Sequence, residues 1–415
     1  MKKTILSKLV TGLLGVAALV AVAGSPAQAA FVVGGENGWQ MSFDGMINVF
    51  AVYDAKDQRQ LDNGTLVAAS PADQLQSFRI RTGLLPSIFA FNVKSPTING
   101  VDYGARIGLY PQIQNAGTRT GLAVGSDFSQ GNGTSLDVRE VFMTADGCFG
   151  QVLAGRALNL FEGKNILTDM TLIGNGVPLN MTGGGVDLGH IGHGYTYTSF
   201  GPQFRYTTPD MKGFKVALEI ADPSQIVGAG GAATTINQPR FETEISYATN
   251  LPGGKMNAWL SGLYQEAKFN TTLHKVASIG GAGGVQAFFG PVEALISGFG
   301  GQALGLTLTQ DGGDALDNVN KERIHYGGLA HVTYTIGKAK LGAQYGLNYA
   351  DRTDNDKTVA ASSLTKSQQA VTGGVYYSVN KYMTLVGEYT YERTSWYDSS
   401  RQTQNIVSLG TVFVW

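Results

Sequence analysis

The chain has 415 residues, of which 15% are charged, 57 are glycine, 12 are proline and one is cysteine, with 30 basic side chains against 31 acidic ones. A single cysteine cannot close an internal disulfide and no C-x-x-C pair exists to hold zinc, while the balanced charge lacks the basic excess of a nucleic-acid binder. Few charges combined with a mean hydropathy close to zero mean that the apolar residues are dispersed rather than massed, and the glycine content points to strands and turns rather than helices.

In chain order, the first feature is a targeting segment. Lys2, Lys3 and Lys8 form a positive start, Leu9 to Ala23 an apolar stretch, and Ala27-Gln28-Ala29 a small-residue cleavage site, so residues 1–29 read as a secretory signal peptide and 30–415 as the mature chain. A short membrane anchor is the alternative. Loss of the three lysines takes the formal charge from −1 to −4. No later stretch is long and apolar enough for a spanning helix. A closed strand barrel needs no such stretch, so a membrane destination stays open.

From there the chain alternates with a period of two. Met41, Phe43, Ile47, Val49 and Tyr53 share one face, and Gln40, Ser42, Asp44, Met46, Asn48 and Asp54 share the other, with Phe50 and Val52 as exceptions. The same grammar sets Phe78 and Ile80 against Arg79 and Arg81, Tyr103 and Ile107 against Asp102 and Arg106, Leu218 and Ile220 against Glu219, Phe241 and Ile245 against Glu242 and Glu244, and Tyr345 and Leu347 against Gln344 and Asn348. Many of these runs exceed the usual strand length and match what crosses a bilayer at a tilt. Short turn-rich links (146–150, 209–213, 250–254, 337–338, 380–381) take turns with long polar ones (55–74, 115–135, 159–193, 222–238, 351–367), the rhythm of an outer-membrane barrel. Nine strands can be placed up to Ala267 and five from about Arg323. If 286–310 holds two more, joined near Gly298 to Gly301, the total is sixteen. If that stretch, with its Pro291, is a loop insertion, the total is fourteen. The expectation is an all-β transmembrane antiparallel barrel of sixteen strands.

The final run, Val407, Leu409, Thr411, Phe413 and Trp415, is similar to the C-terminal signature by which the bacterial assembly machinery accepts outer-membrane barrels. Arg139-Glu140-Val141-Phe142-Met143 followed by Gly147, Phe149-Gly150 and Gly155-Arg156 resembles a strand-turn-strand segment of the general Gram-negative porins. Tyr206-Thr207-Thr208-Pro209-Asp210 with Gly213-Phe214 resembles the next turn of that family. Met143-Thr144-Ala145 and Cys148 depart from the pattern and leave the side-chain phase of the fourth strand open. The resemblance implies sixteen strands, a homotrimer with one flank packed on its neighbours, outer-membrane lipid around the barrel, and a third loop folded into the lumen. That loop matches 159–193. The resemblance further implies that Glu162 and Asp169 in it face basic wall residues across a constriction.

A barrel of this size encloses water, so the expected activity is passive diffusion of ions and small hydrophilic solutes across the outer membrane. The wall candidates are Arg79, Arg81, Arg106, Arg139, Arg156 and Arg205, most of which alternate with apolar residues and should point inward; Arg156 is least settled in phase because Val152 and Ala154 share its side. Pairing with lumen acids for stability alone is the other reading of each. No cofactor is expected. His190 and His193 lack a third metal ligand nearby, and the groups Asp351, Asp354, Asp356 and Asp311, Asp314, Asp317 do not match a calcium loop, so solvated charge is the expectation. Competing functions are a substrate-selective channel, a sheath for an electron-transfer partner, and an outer-membrane barrel enzyme. The last lacks a G-x-S-x-G nucleophile turn and a histidine partner set.

Overall fold

The computed structural model describes residues 31–67, 76–114, 136–179, 185–228, 231–233, 235–269, 275–310, 314–358 and 364–415. The candidate signal segment and Asp311 lie outside them. Sixteen antiparallel strands form one wall. β1 is Gln40–Lys56; β2 runs in two pieces, Gln76–Arg81 and Ile88–Lys94; β3 is Asp102–Pro111, β4 Leu136–Gly147, β5 Gly150–Leu158, β6 Phe200–Thr207, β7 Phe214–Ala221 and β8 Arg240–Leu251. The second half comprises β9 Gly254–Lys268, β10 Lys275–Phe289, β11 Val292–Gln302, β12 Ile324–Ile336, β13 Ala339–Ala350, β14 Thr365–Ser378, β15 Met383–Trp396 and β16 Ser400–Val414. Each strand pairs with the next, and Met46–Lys56 of β1 pair with Gln404–Val414 of β16, which closes the barrel and leaves no open sheet edge. Below that seam the short strand Phe31–Gly34 continues along β1, and Trp415 exchanges backbone hydrogen bonds with Gly45.

The total of sixteen agrees with the sequence, but the position of the extra turn does not. β10 and β11 meet at Gly290-Pro291, not near Gly298 to Gly301. Gly290 adopts a positive φ of 56°, which suits a tight turn, and Pro291 sits where no ladder donor is needed. The glycines at 298, 300 and 301 instead lie within β11, the last two near its end.

The outward face carries the apolar members of the alternation, including Phe78, Ile80, Leu218, Ile220, Leu409 and Phe413. Aromatic rings gather towards both rims. At the turn end Phe214 stacks on Tyr247 at 4.2 Å and Trp415 adjoins Phe89 and Phe413; at the loop end Tyr326 stacks on Tyr349 at 5.1 Å. Apolar band and aromatic girdles are the outer surface of a membrane barrel.

On the inner face the residues that broke the alternation have a structural reason. Phe50 and Val52 are fully buried and, with Met46, join Tyr376, Val386, Ile406 and Val412 in an apolar cluster that also takes in Met170, from the connection after β5. β2 is interrupted at 82–87, and there Leu84 and Leu85 turn inward onto the same connection. Pro86 cannot donate to a ladder, which fits the break.

Candidate pore constriction

The connection between β5 and β6, residues 159–199, contains a short helix α1, Gly163–Leu167, and a 3-10 turn, Met170–Ile173. Its side chains and backbone meet inner-face residues from β8 round to β15. Phe161 N–H donates to Glu242, Trp259 Nε1–H to Asn165 Oδ1 at 2.8 Å, Met170 N–H to Gln344 Oε1 at 2.9 Å, and the amides of Asn175 and Gly176 both donate to Glu388 Oε2. Gly194 N–H donates to Asn348 Oδ1. A second apolar cluster (Leu84, Ile166, Leu172, Ile191, Tyr195, Trp259, Leu295, Leu329) fastens the segment from within. Close approach explains the glycines opposite: a Cβ at Gly280 would lie 2.7 Å from the Phe161 ring.

The predicted acids both serve the segment's own fold. Asp169 caps the 3-10 turn and accepts from Thr171 N–H and Oγ1–H, Gln344 Nε2–H, His190 N–H and Tyr195 O–H, and this donor set together with nearby His190 outweighs burial and holds its carboxyl below the usual range. No arginine or lysine faces it among the described residues, which corrects the expectation of a pairing across the lumen. Its neutral donors already use both oxygens. Glu162 is fully buried at a positive φ of 58°, accepts from Thr196 N–H and Oγ1–H, and burial pushes its carboxyl up to about 8. Arg240 and Glu242 are its charged neighbours.

The arginines divide. Arg81 is sealed and pairs with Asp187 of the segment at 2.7 Å. Arg79 stands on the same inner face of β2, and its charge also reaches Asp187. Arg106 is locked by Glu140 at 2.6 Å, Asp44 at 2.8 Å and Asn92. Arg139 falls on a bulge: Gly108 opposes Glu140 but Leu109 opposes Val138, so the phase of β4 slips there. Arg139 lies between Asp137 and the rings of Tyr110 and Phe200. Arg205 pairs with Glu219 at 2.8 Å. Arg156 is a correction: opposite Val141 and Pro202, and in step with Val152 and Ala154, it lies on the outer face, with its guanidinium on the Phe200 carbonyl.

Sequence reasoning missed Arg240, fully buried against Glu242 and Ser224, and left Lys164, which pairs with Glu244 at 3.4 Å, without a role. Arg240 is in step with Glu242 and Glu244 and so shares their polar face. Three charged pairs lie on this side of the segment: Arg139 with Asp137, Arg205 with Glu219, and Lys164 with Glu244. Side-chain exposure is 17% for Arg205 against a sealed Glu219 and 37% for Lys164 against 11% for Glu244, whereas Arg139 at 13% is less exposed than Asp137 at 49%.

The two histidines of the segment are engaged within the protein. His190 holds Thr372 Oγ1 at 2.8 Å through Nε2 and the His193 carbonyl through Nδ1; burial, working against the attraction of Asp169, pushes the imidazole below its usual range. His193 lies 3.4 Å from Glu392. Among the described residues no group of three or more His, Cys, Asp or Glu side chains is arranged to hold a metal. Asp356 takes Arg323 in an ion pair, and Asp317 accepts from Val319 N–H, Lys321 N–H and Thr353 O–H.

The family model of the Gram-negative porins matches residues 15–396. Among solved structures, the outer-membrane channel DcaP of Acinetobacter baumannii superposes with a TM-score of 0.67 at 16% identity, over 93% of this chain and 100% of that one. An anion-selective porin from Comamonas acidovorans gives 0.61 at 15% identity, over 91% and 100%. OmpF of Salmonella typhi gives 0.54 at 12% identity, over 91% and 98%. At such identities the likeness concerns the fold. No curated protein matches the sequence.

Proposed function

This chain belongs to the Gram-negative porin family and is a passive diffusion channel of the outer membrane; we propose that solutes cross it between segment 159–199 and the inner face of β4–β8. The observation that carries this reading is the asymmetry of the segment's contacts. Its backbone and apolar side chains are fastened to β8–β15, whereas towards β4–β8 it presents Lys164, and the wall answers with Arg139 and Arg205. Charged side chains that keep contact with water mark the hydrated side of the lumen and set ion preference there.

The sign of that preference follows from which partner meets water in the two pairs Arg205–Glu219 and Lys164–Glu244; in the third, at the loop end of β4, it is the acid Asp137 that is the more exposed. Arg205 and Lys164 are turned to the passage more than Glu219 and Glu244, so anions are favoured over cations. Arg81, Arg106 and Arg240 stand behind this layer as structural ions. The Comamonas structure is an anion-selective porin, but the preference proposed here rests on the charges of this chain. We read the protein as a channel rather than an enzyme, as a homotrimer, and as a client of the outer-membrane assembly machinery through Trp415.

Single-channel recording in a planar bilayer tests the passage. Stepwise conductance is expected, with a zero-current potential in a KCl gradient that reports chloride preference. Purified, heat-modifiable barrel that gives no conductance sinks the open-channel reading.

A further inference from the structure

The outward arginine has no place in the pore, and it stands beside a depression in the outer wall. A groove of about 730 Å³ opens there, lined by Phe204, Leu218, Ile220, Phe241, Gly262 and Tyr264. Its floor is low because Thr243 and Gly262 are small where neighbouring positions carry rings and branched side chains. A Cβ at Gly262 would meet nothing nearer than the Thr243 methyl at 3.5 Å, so the space is open outward.

The ladder fixes where Arg156 stands relative to this groove. Phe204 opposes Ala154 and Ile220, Ile220 opposes Phe241, and Phe241 opposes Tyr264, which makes one row across the wall. Arg156 and Pro202 form the next step towards the loop end of β5. The guanidinium donates to the Phe200 carbonyl at 2.6 Å and has no carboxylate partner among the described residues. A cation on the lipid face is disfavoured except near the headgroups, and its planar donors suit phosphate.

We propose that this flank binds a phosphorylated lipid of the external leaflet, with the headgroup phosphate on Arg156 at the β5–β6 edge and one acyl chain running past Phe204 into the groove, whose floor lies on β8–β9. Charge and shape are complementary in the order that a lipid entering from the loop side presents them. A neighbouring copy of the chain would match the apolar floor but gives no reason for an unpaired cation at its upper end.

The test uses full-length folded protein, delipidated in detergent and titrated with diphosphorylated lipid A or its dephosphorylated form, with bound lipid counted by native mass spectrometry. The wild type should retain the phosphorylated lipid in preference to the other. Arg156→Gln should weaken the phosphorylated lipid by about tenfold or more and leave the other unchanged, as expected for one charge-assisted contact. Gly262→Leu, which fills the floor, should weaken both. Neither residue lines the proposed passage, so unchanged heat-modifiability and conductance report correct folding. Equal retention of both lipids by the wild type, or undiminished binding by Arg156→Gln, overturns the proposal, as does a groove covered by another copy and closed to added lipid. None of these outcomes bears on conductance, which tests the channel separately.

Discussion

Two flanks of the same wall obey one strand grammar and differ in what their inner faces carry. From β9 through β16 to β1 the inner face includes Trp259, Leu295, Leu329, Tyr376 and Phe50, and segment 159–199 packs on it much as a core forms in a soluble domain. From β3 to β8 the inner face carries Arg106, Glu140, Arg139, Arg205 and Glu219, joined by ion pairs. Apolar residues on the nominally polar face thus mark where a loop docks, and the ion-paired charges gather on the flank it leaves uncovered, some sealed and some in contact with water.

The comparison can be broken by perturbing each flank. The largest effect should come from Arg106→Gln, which leaves Glu140 and Asp44 facing one another without their cation; a cost of about 3–5 kcal/mol is expected for a broken buried pair. Urea unfolding of the folded barrel in detergent measures it, and a loss below about 1 kcal/mol would mean that the network is solvated. On the other flank Leu329→Ala should cost about 2–5 kcal/mol through the cavity it leaves. Because Leu329 holds segment 159–199 at Gly194, its loss should also raise single-channel conductance and noise. Unchanged traces would separate the segment from the passage.

A smaller effect is expected at Glu162. Burial lifts its carboxyl from the ordinary 4.5 to about 8, so the folded chain keeps a proton that the unfolded chain has released. That stabilising contribution is complete below pH 4.5 and is lost as pH rises through about 8. Glu162→Gln preserves the neutral form; melting curves of the wild type should therefore fall relative to the variant between about pH 5 and pH 9. Parallel curves would put the proton elsewhere. The smallest change in stability should accompany Lys164→Glu, within about 1 kcal/mol for a partly exposed pair. Yet its zero-current potential in a KCl gradient should move towards potassium. An unmoved potential would remove Lys164 from the passage.

The arginines show what could be read in advance. Arg205 and Arg81 follow the alternation and lie where it puts them. Arg156 does not, although Val152 and Ala154 in step with it were a visible sign of the outer face. Arg139 could not be phased from sequence, because a one-residue bulge at β4 shifts every later side chain to the other face. Asp169 was legible as a loop acid but not as a cap, since its five donors come from residues as distant as Gln344.

The alternation along the chain was enough to read a barrel and its order of short turns and long loops, because a closed wall between lipid and lumen forces a period of two along every strand, while it left sixteen and fourteen strands both open around 286–310. Only the tertiary structure decided which charges meet water and which are sealed. A lumen-facing position becomes buried or hydrated according to whether segment 159–199 and the kink at 82–87 fold onto it, and those contacts join residues that lie far apart along the chain.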